Sequence, residues 1–148
     1  MDPALRPATS EDYGWIIAGV DEWWGRPVAA SLPRLYLDHF SATSLVAECD
    51  ASHVAFLIGF HSPSDCRASY IHFAGVDPRW RRLAIGRLLY ERFFEAARAA
   101  GRSEVRAITS PLNAASIGFH RALGFEVSDP IDGYNGPGTS VVTFRRTL

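Results

Sequence analysis

The sequence predicts an α/β (α+β) fold: a mixed sheet with helices packed on it, in a single domain over residues 1–148. Three features predict it. SLVAEC, HVAFLIGFH and SYIHFAGV are strand-like runs that follow one another at hairpin spacing. An apolar stripe of helical period begins at Ile85. The second half reads strand, helix, strand, helix, strand, which implies a mixed sheet with helices against it. The length suits one domain with one hydrophobic core.

LRPAT is a short extended opening, and Ser10 followed by Glu11 and Asp12 is a helix start. That helix runs through Trp15, Ile16 and Ile17 and fades around Gly19. VDEWWGRPVA carries too many breakers and aromatics for a regular element. Pro33 sits at an early helical position for RLYLDHF. CDASH is the turn between the first two central strands, SPSDCR the loop before the third, and Asp77-Pro78 ends that third strand. From Ile85 the stripe is Leu88, Leu89, Phe93, Ala96, Ala97 and Ala100, with Arg87, Glu91, Glu95 and Arg98 opposite. Arg87/Glu91 and Glu95/Arg98 stand at neighbour spacing, and Gly101 is a left-handed cap. EVRAIT is a strand. Pro111 and Asn113 open a helix with Leu112, Ala115, Phe119, Ala122 and Leu123 as its expected buried stripe, and Gly124 stops it. FEV begins a strand, IDGYNGPG is a glycine-rich loop, and TSVVTFRR is the final strand.

The net charge of −1 argues against a general nucleic-acid or membrane-surface binder. Cys49 and Cys66 are too few for a disulfide scaffold and lie in no metal-ligand spacing, so they read as reduced thiols and no metal site is expected. MDPALRPATSEDYG has no apolar signal core, and no apolar run is long enough to span a bilayer. The expected compartment is the cytoplasm.

The stretch WRRLAIGR joins the end of a strand to the start of a helix. The first turn of a helix has backbone N–H groups without intrahelical partners, and those donors and the helix dipole favour an anion. A phosphate must come within hydrogen-bond distance of the backbone, so the side chains there must be small. Ala84 and Gly86 meet that need, and Arg81 and Arg82 add charge-assisted donors. The stretch lacks the Gly-Lys-Ser/Thr of a Walker A loop and the three-glycine spacing of a dinucleotide fingerprint. On these residues alone, a solvated basic turn before an amphipathic helix remains an equal reading.

VDPRWRRLAIG resembles the acetyl-CoA-binding signature of the GNAT family of N-acetyltransferases. Val76, Pro78, Arg81 and Gly86 match it, and Ala84 stands where the family usually has glycine. NAASIGFHRALGF resembles the family's later motif through Asn113, Phe119, Leu123, Gly124 and Phe125. The resemblance implies a GNAT-type, mostly antiparallel central sheet with a splayed strand pair and flanking helices. It implies acetyl-CoA as cosubstrate, without a metal, and acetyl transfer to a primary amine on a small molecule or peptide. Transfer is expected to be direct, in a ternary complex, since neither motif holds a cysteine for an acyl-enzyme. The pyrophosphate is expected on Arg81, Arg82, Leu83, Ala84, Ile85, Gly86 and Arg87. The pantetheine arm is expected along Ala74 and Val76, in the gap before the Glu104–Thr109 strand, with Asn113 and Ser116 as further cofactor contacts.

The chemistry needs a base for the amine, a donor for the developing oxyanion, and an acid for the leaving thiolate. The resemblance places the oxyanion donor near Ala74, Gly75 and Val76, where a glycine suits a local bulge. Tyr70, His72 and Ala74 alternate onto one face of their strand, while Ile71 and Phe73 take the other, core face. His72 is the leading base candidate, against a histidine bonded within the sheet, and Tyr70 is the second. Where the family often has a tyrosine to protonate the thiolate, this chain has His120, whose imidazole can do the same work. The alternative is a boundary histidine on the helix stripe. On the acceptor side, Asp21, Glu22, Trp23 and Trp24 of DEWWGRP could hold a cationic amine by charge and ring faces. The rival reading has one tryptophan in the core and the other packing the loop. Tyr134 in DGYNGPG is a further acceptor contact, or that loop is a plain connection. His39, His53 and His61 receive no role. A non-catalytic acyl-CoA-binding module or sensor is the alternative function, and a longer acyl-CoA such as succinyl-CoA an alternative donor. The edge of the final strand could pair with a second copy as a homodimer.

Overall fold

A computed structural model describes residues 2–148. The chain forms two compact units, one of residues up to Phe60 with Ile71–Ala96, the other of His61–Tyr70 with Ala97–Leu148. Among the described residues eight strands pair in a mixed, mostly antiparallel pattern, as the family resemblance implies.

In the first unit, β1 (Ala4–Pro7) pairs antiparallel with β2 (Leu45–Cys49), and β2 with β3 (Ser52–His61), Val46 facing Phe56. Asp50 and Ala51 join β2 to β3 with φ of 51° and 63°. Two successive left-handed residues make the hairpin turn whose twist matches the strands, at the position that CDASH predicts. β4 (Ala68–Val76) follows and contributes Ile71–Val76 to this unit. Helices α1 (Tyr13–Trp24) and α2 (Leu35–Phe40) cover the sheet. Ile16, Val20, Leu32, Leu37, Val46, Phe56 and Ile58 form the core, with Trp15, Trp23, Trp24, Tyr36 and Phe73 half-buried against it.

α1 does not fade at Gly19. It continues to Trp24 and stops at Gly25, which takes φ 72°. A glycine inside a helix costs about 1 kcal/mol relative to alanine; burial of Ile16, Val20 and the tryptophan rings outweighs it. The start of α1 is fixed by the buried Asp12, which accepts from the Thr9 amide at 2.8 Å, the Trp15 indole at 2.9 Å and both terminal nitrogens of Arg6. Burial alone would raise the Asp12 pKa, but these donors hold it well below the usual carboxylate range.

α3 (Ile85–Ala99) is the longest helix among the described residues. Ile85, Leu89, Tyr90, Phe93, Phe94 and Ala97 are its buried face. Leu88, Ala96 and Ala100 from the expected stripe are exposed. The buried face therefore follows the i, i+4 row from Ile85 and widens toward Tyr90 and Phe94, away from the row of Leu88. Arg87 pairs with Glu91 at 3.5 Å as expected, whereas Glu95 is drawn to Arg92 at 3.7 Å.

In the second unit, Ala68–Tyr70 of β4 lies parallel to β5 (Glu104–Thr109), with Tyr70 opposite Arg106. β5 pairs antiparallel with β8 (Ser140–Thr147) over its whole length. The short strands β6 (Glu126–Val127) and β7 (Ile131–Asp132) also pair with β8. α4 (Ala114–Ala122) lies between β5 and β6 in the chain. Its expected stripe is misplaced. Leu112 precedes the helix and is 92% exposed, and Ala115 and Ala122 are exposed as well. The buried residues are His120 and Leu123, packed with Phe125 and Phe144.

Candidate active site

The turn after β4 is built from its first residue. The Asp77 side chain accepts from the Arg79 amide at 2.9 Å, and its carboxylate pairs with the Arg79 guanidinium at 2.7 Å. Hydrogen bonding to Arg79 outweighs burial and holds the Asp77 carboxyl below its ordinary pKa. Pro78 suits the first position of the 3₁₀ turn Pro78–Leu83, because it has no N–H to leave unpaired. Ala84 then takes φ 55° and ψ 31° and redirects the chain into α3. The α3 ladder opens with the Leu88 amide bonded to the Ala84 carbonyl at 3.2 Å. The amides ahead of it belong to the unpaired first turn. The Ile85 side chain is buried, while Leu83, Ala84 and Arg87 are exposed and Gly86 is half-buried. Apart from Ile85, the described side chains at this helix start are exposed or half-buried, which puts the turn at the surface.

Arg81 is tied to this unit from within. Its Nη2 donates to the Trp23 carbonyl at 2.8 Å, and its Nε lies 3.4 Å from the Val76 carbonyl. The side chain of Arg82 lies outside the described residues. Ala74 and Val76 are half-buried. Gly75 is buried, and a Cβ on it would sit 2.8 Å from Trp24 Cζ3 and 2.9 Å from Phe56 Cε1. Glycine here has a packing reason: only glycine lets these two rings approach β4.

His72 is half-buried on β4. Its Nε2 lies 2.6 Å from the Ser31 carbonyl, in the turn Ala29–Ser31, and its ring stacks on Tyr36. Burial lowers its pKa below the ordinary imidazole value, against a smaller raising effect of the Ser31 carbonyl. Neither Ser31 nor Tyr36 is singled out by the sequence; no local pattern links residues forty positions apart. Tyr70, the other base candidate, belongs to the second unit at the end of the β4–β5 pairing.

The acceptor-side residues divide. Asp21 Oδ1 accepts from the Val28 and Ala29 amides at 2.7 and 2.9 Å, so that carboxylate oxygen holds the chain after α1. Glu22 is exposed and, with the stronger Asp77 contact, raises the Arg79 pKa. Trp23 packs with Trp15 and Phe56, and Trp24 lies on Phe73 with ring centres 4.6 Å apart. Both tryptophans thus pack against the first unit's core. Tyr134 is 53% exposed in its loop.

Asn113, Ser116 and His120 come together on α4. Asn113 caps the helix, its Oδ1 accepting from the Ser116 amide at 3.1 Å, while its Nδ2 donates to Thr109 Oγ1 at 3.3 Å. His120 Nδ1 donates to the Ser116 carbonyl at 2.7 Å, and the ring stacks on Phe144 at 3.9 Å. Burial pushes the His120 pKa down to about 4, the Ser116 carbonyl acting weakly the other way. At neutral pH this imidazole is uncharged, and its Nδ1 proton is already given to a carbonyl. The expected acid role therefore meets a physical obstacle, and the aromatic surroundings give His120 a packing role.

The candidate site thus consists of a strand that ends in an acid-capped turn, a helix start at the surface and, on that strand, a histidine whose pKa burial lowers. The chain belongs to the GNAT acetyltransferase family, whose profile matches residues 6–125. No curated protein matches it in sequence. Its fold is that of Ard1 from Thermoplasma volcanium, at 20% identity and TM-score 0.83 over 100% of this chain and 99% of that one. It is also that of yncA from Salmonella typhimurium, solved with its cofactor acetyl-CoA, at 21% identity and TM-score 0.75 over 100% and 95%. A third similar structure is the ribosomal-protein-S18-alanine N-acetyltransferase from Escherichia coli, at 15% identity and TM-score 0.77 over 99% and 94%.

Proposed function

We propose that the protein is an N-acetyltransferase that moves an acetyl group from acetyl-CoA directly to a primary amine within a ternary complex. The observation that carries this reading is the surface-exposed helix start from Leu83 to Arg87, opened by the left-handed Ala84. Amides at a helix start beside small residues such as Ala84 and Gly86 suit a pyrophosphate, and Arg87 and the Arg81 guanidinium add positive charge at that turn. The thioester supplies an activated carbonyl carbon. His72 takes a proton from the acceptor nitrogen, which attacks that carbon. Backbone donors at Ala74–Val76 meet the negative charge that grows on the carbonyl oxygen. The C–S bond then breaks and the thiolate is protonated from solvent. We assign no proton transfer to His120, and we keep Asn113 and Ser116 as cofactor-side residues whose first duty is to cap and continue α4. Peptide or protein amines are favoured as acceptors, because the similar Escherichia coli enzyme is named for an alanine of a ribosomal protein.

The test is release of coenzyme A, trapped by a thiol reagent, over a panel of small primary amines and short peptides with free N-termini. Amine-dependent release is expected, and His72→Gln should lower it at least tenfold while coenzyme A affinity stays the same. Tight coenzyme A binding with no release on any amine defeats the transfer reading and leaves a binding module.

A further inference from the structure

His72 is held from two sides. A carbonyl oxygen can only accept, so the ring nitrogen that faces the Ser31 carbonyl, Nε2 at 2.6 Å, carries the hydrogen. That choice leaves the lone pair on Nδ1, which makes no hydrogen bond among the described residues. Tyr36 covers one face of the ring, with centroids 4.0 Å apart and planes within 7°. Tyr36 is on α2 beside Leu37, which is 1% exposed and anchors the helix in the core, so the stack has a rigid base. The ring of Phe73, the next residue on β4, lies tilted with its centre 6.2 Å away.

We infer that Tyr36 and the Ser31 carbonyl are positioning groups for His72: together they fix its Nε2–H tautomer and present Nδ1 as the atom that receives the amine proton. This rests on the proposed role of His72 as the base. The proton leaves the acceptor nitrogen, forms imidazolium at Nδ1, and returns to solvent after transfer; no other reactant is needed. The groups facing the ring are the Tyr36 phenol from α2, the Ser31 carbonyl from the turn before it, and the Phe73 ring from β4. Burial lowers the ring's basicity and the carbonyl raises it; no charged side chain among the described residues takes part. Tyr36 acts through its ring and not through its hydroxyl, because the stack needs only an aromatic face.

The test uses the full chain labelled with ¹⁵N at histidine. Two-bond ¹H–¹⁵N spectra across pH report the tautomer and pKa of His72 directly, and His72→Gln assigns its signals. The wild type is expected as Nε2–H, titrating below an ordinary histidine. Tyr36→Leu should raise that pKa by about half a unit or more as the ring is resolvated, and mix the tautomers, while Tyr36→Phe should keep both. The acid limb of the acetyl-transfer rate should move to higher pH by the same amount in Tyr36→Leu, with KM for acetyl-CoA unchanged. A His72 found as Nδ1–H, or a titration indifferent to Tyr36→Leu in a protein that melts cooperatively, overturns the inference. A titration that moves while the rate profile stays still overturns the base role of His72 and leaves the pairing intact.

Discussion

At Ala84 the backbone takes φ 55°, a conformation that glycine adopts freely and alanine does not. The family motif usually has glycine at this point, and the structure gives the reason: the chain must turn left-handed to pass from the 3₁₀ turn into α3. The methyl group is tolerated because it is exposed, so the cost is backbone strain without a clash. Ala84→Gly is expected to stabilise the protein by about 0.5–1 kcal/mol, read as a higher denaturant midpoint with an unchanged slope. A midpoint that falls would show that Ala84 is relaxed there. The departure from the motif was visible in the sequence; its conformational meaning was not, because φ is invisible in residue types.

The α3 start joins two electrostatic effects that one substitution can separate. An acidic side chain in the first turn favours a helix through its dipole, but repels a phosphate placed on the same amides. Gly86→Asp is therefore expected to keep or raise thermal stability while weakening coenzyme A binding by about tenfold or more, roughly 1.4 kcal/mol. Calorimetric titration checks the binding, and equal affinity in a folded variant would remove the cradle assignment. α3 itself was legible from Ile85 to Gly101, since its polar and apolar residues alternate with a clear helical period. α4 was legible in extent but not in facing. Its alanines carry little pattern, and the buried position belongs to His120, which the sequence puts only at the edge of the stripe. The end of α1 is hidden in the sequence because DEWWG reads as a breaker-rich loop, whereas the tryptophans extend the helix by packing.

Across the whole chain, sensitivity to acid follows from one buried and two half-buried imidazoles. His120, His72 and His61 all have pKa values lowered first by burial, His61 with help from Arg102. The unfolded chain then binds more protons than the folded one below the ordinary histidine value, so stability is complete above about pH 6.5 and is lost as pH falls. For His120 the loss runs from 6.5 to about 4, and it amounts to on the order of 3 kcal/mol at most. His120→Phe, which keeps an aromatic ring against Phe144, should flatten the melting temperature between those pH values and leave coenzyme A release near wild type. Parallel pH curves for the two proteins would count against a neutral buried ring. Lower still, Asp12 opposes unfolding until its own depressed pKa is reached. The fold class and the two family motifs were readable over most of the sequence. What joined His72 to Ser31 and Tyr36, and Arg81 to Trp23, was not, because such contacts depend on how distant segments pair.

All four tryptophans, Trp15, Trp23, Trp24 and Trp80, fall in the first of the two units. Indole fluorescence therefore watches that half alone, whereas far-ultraviolet circular dichroism sums the backbone of both. Superimposable melts from the two spectroscopies would mean the halves come apart as one; a gap between the curves would time their separation.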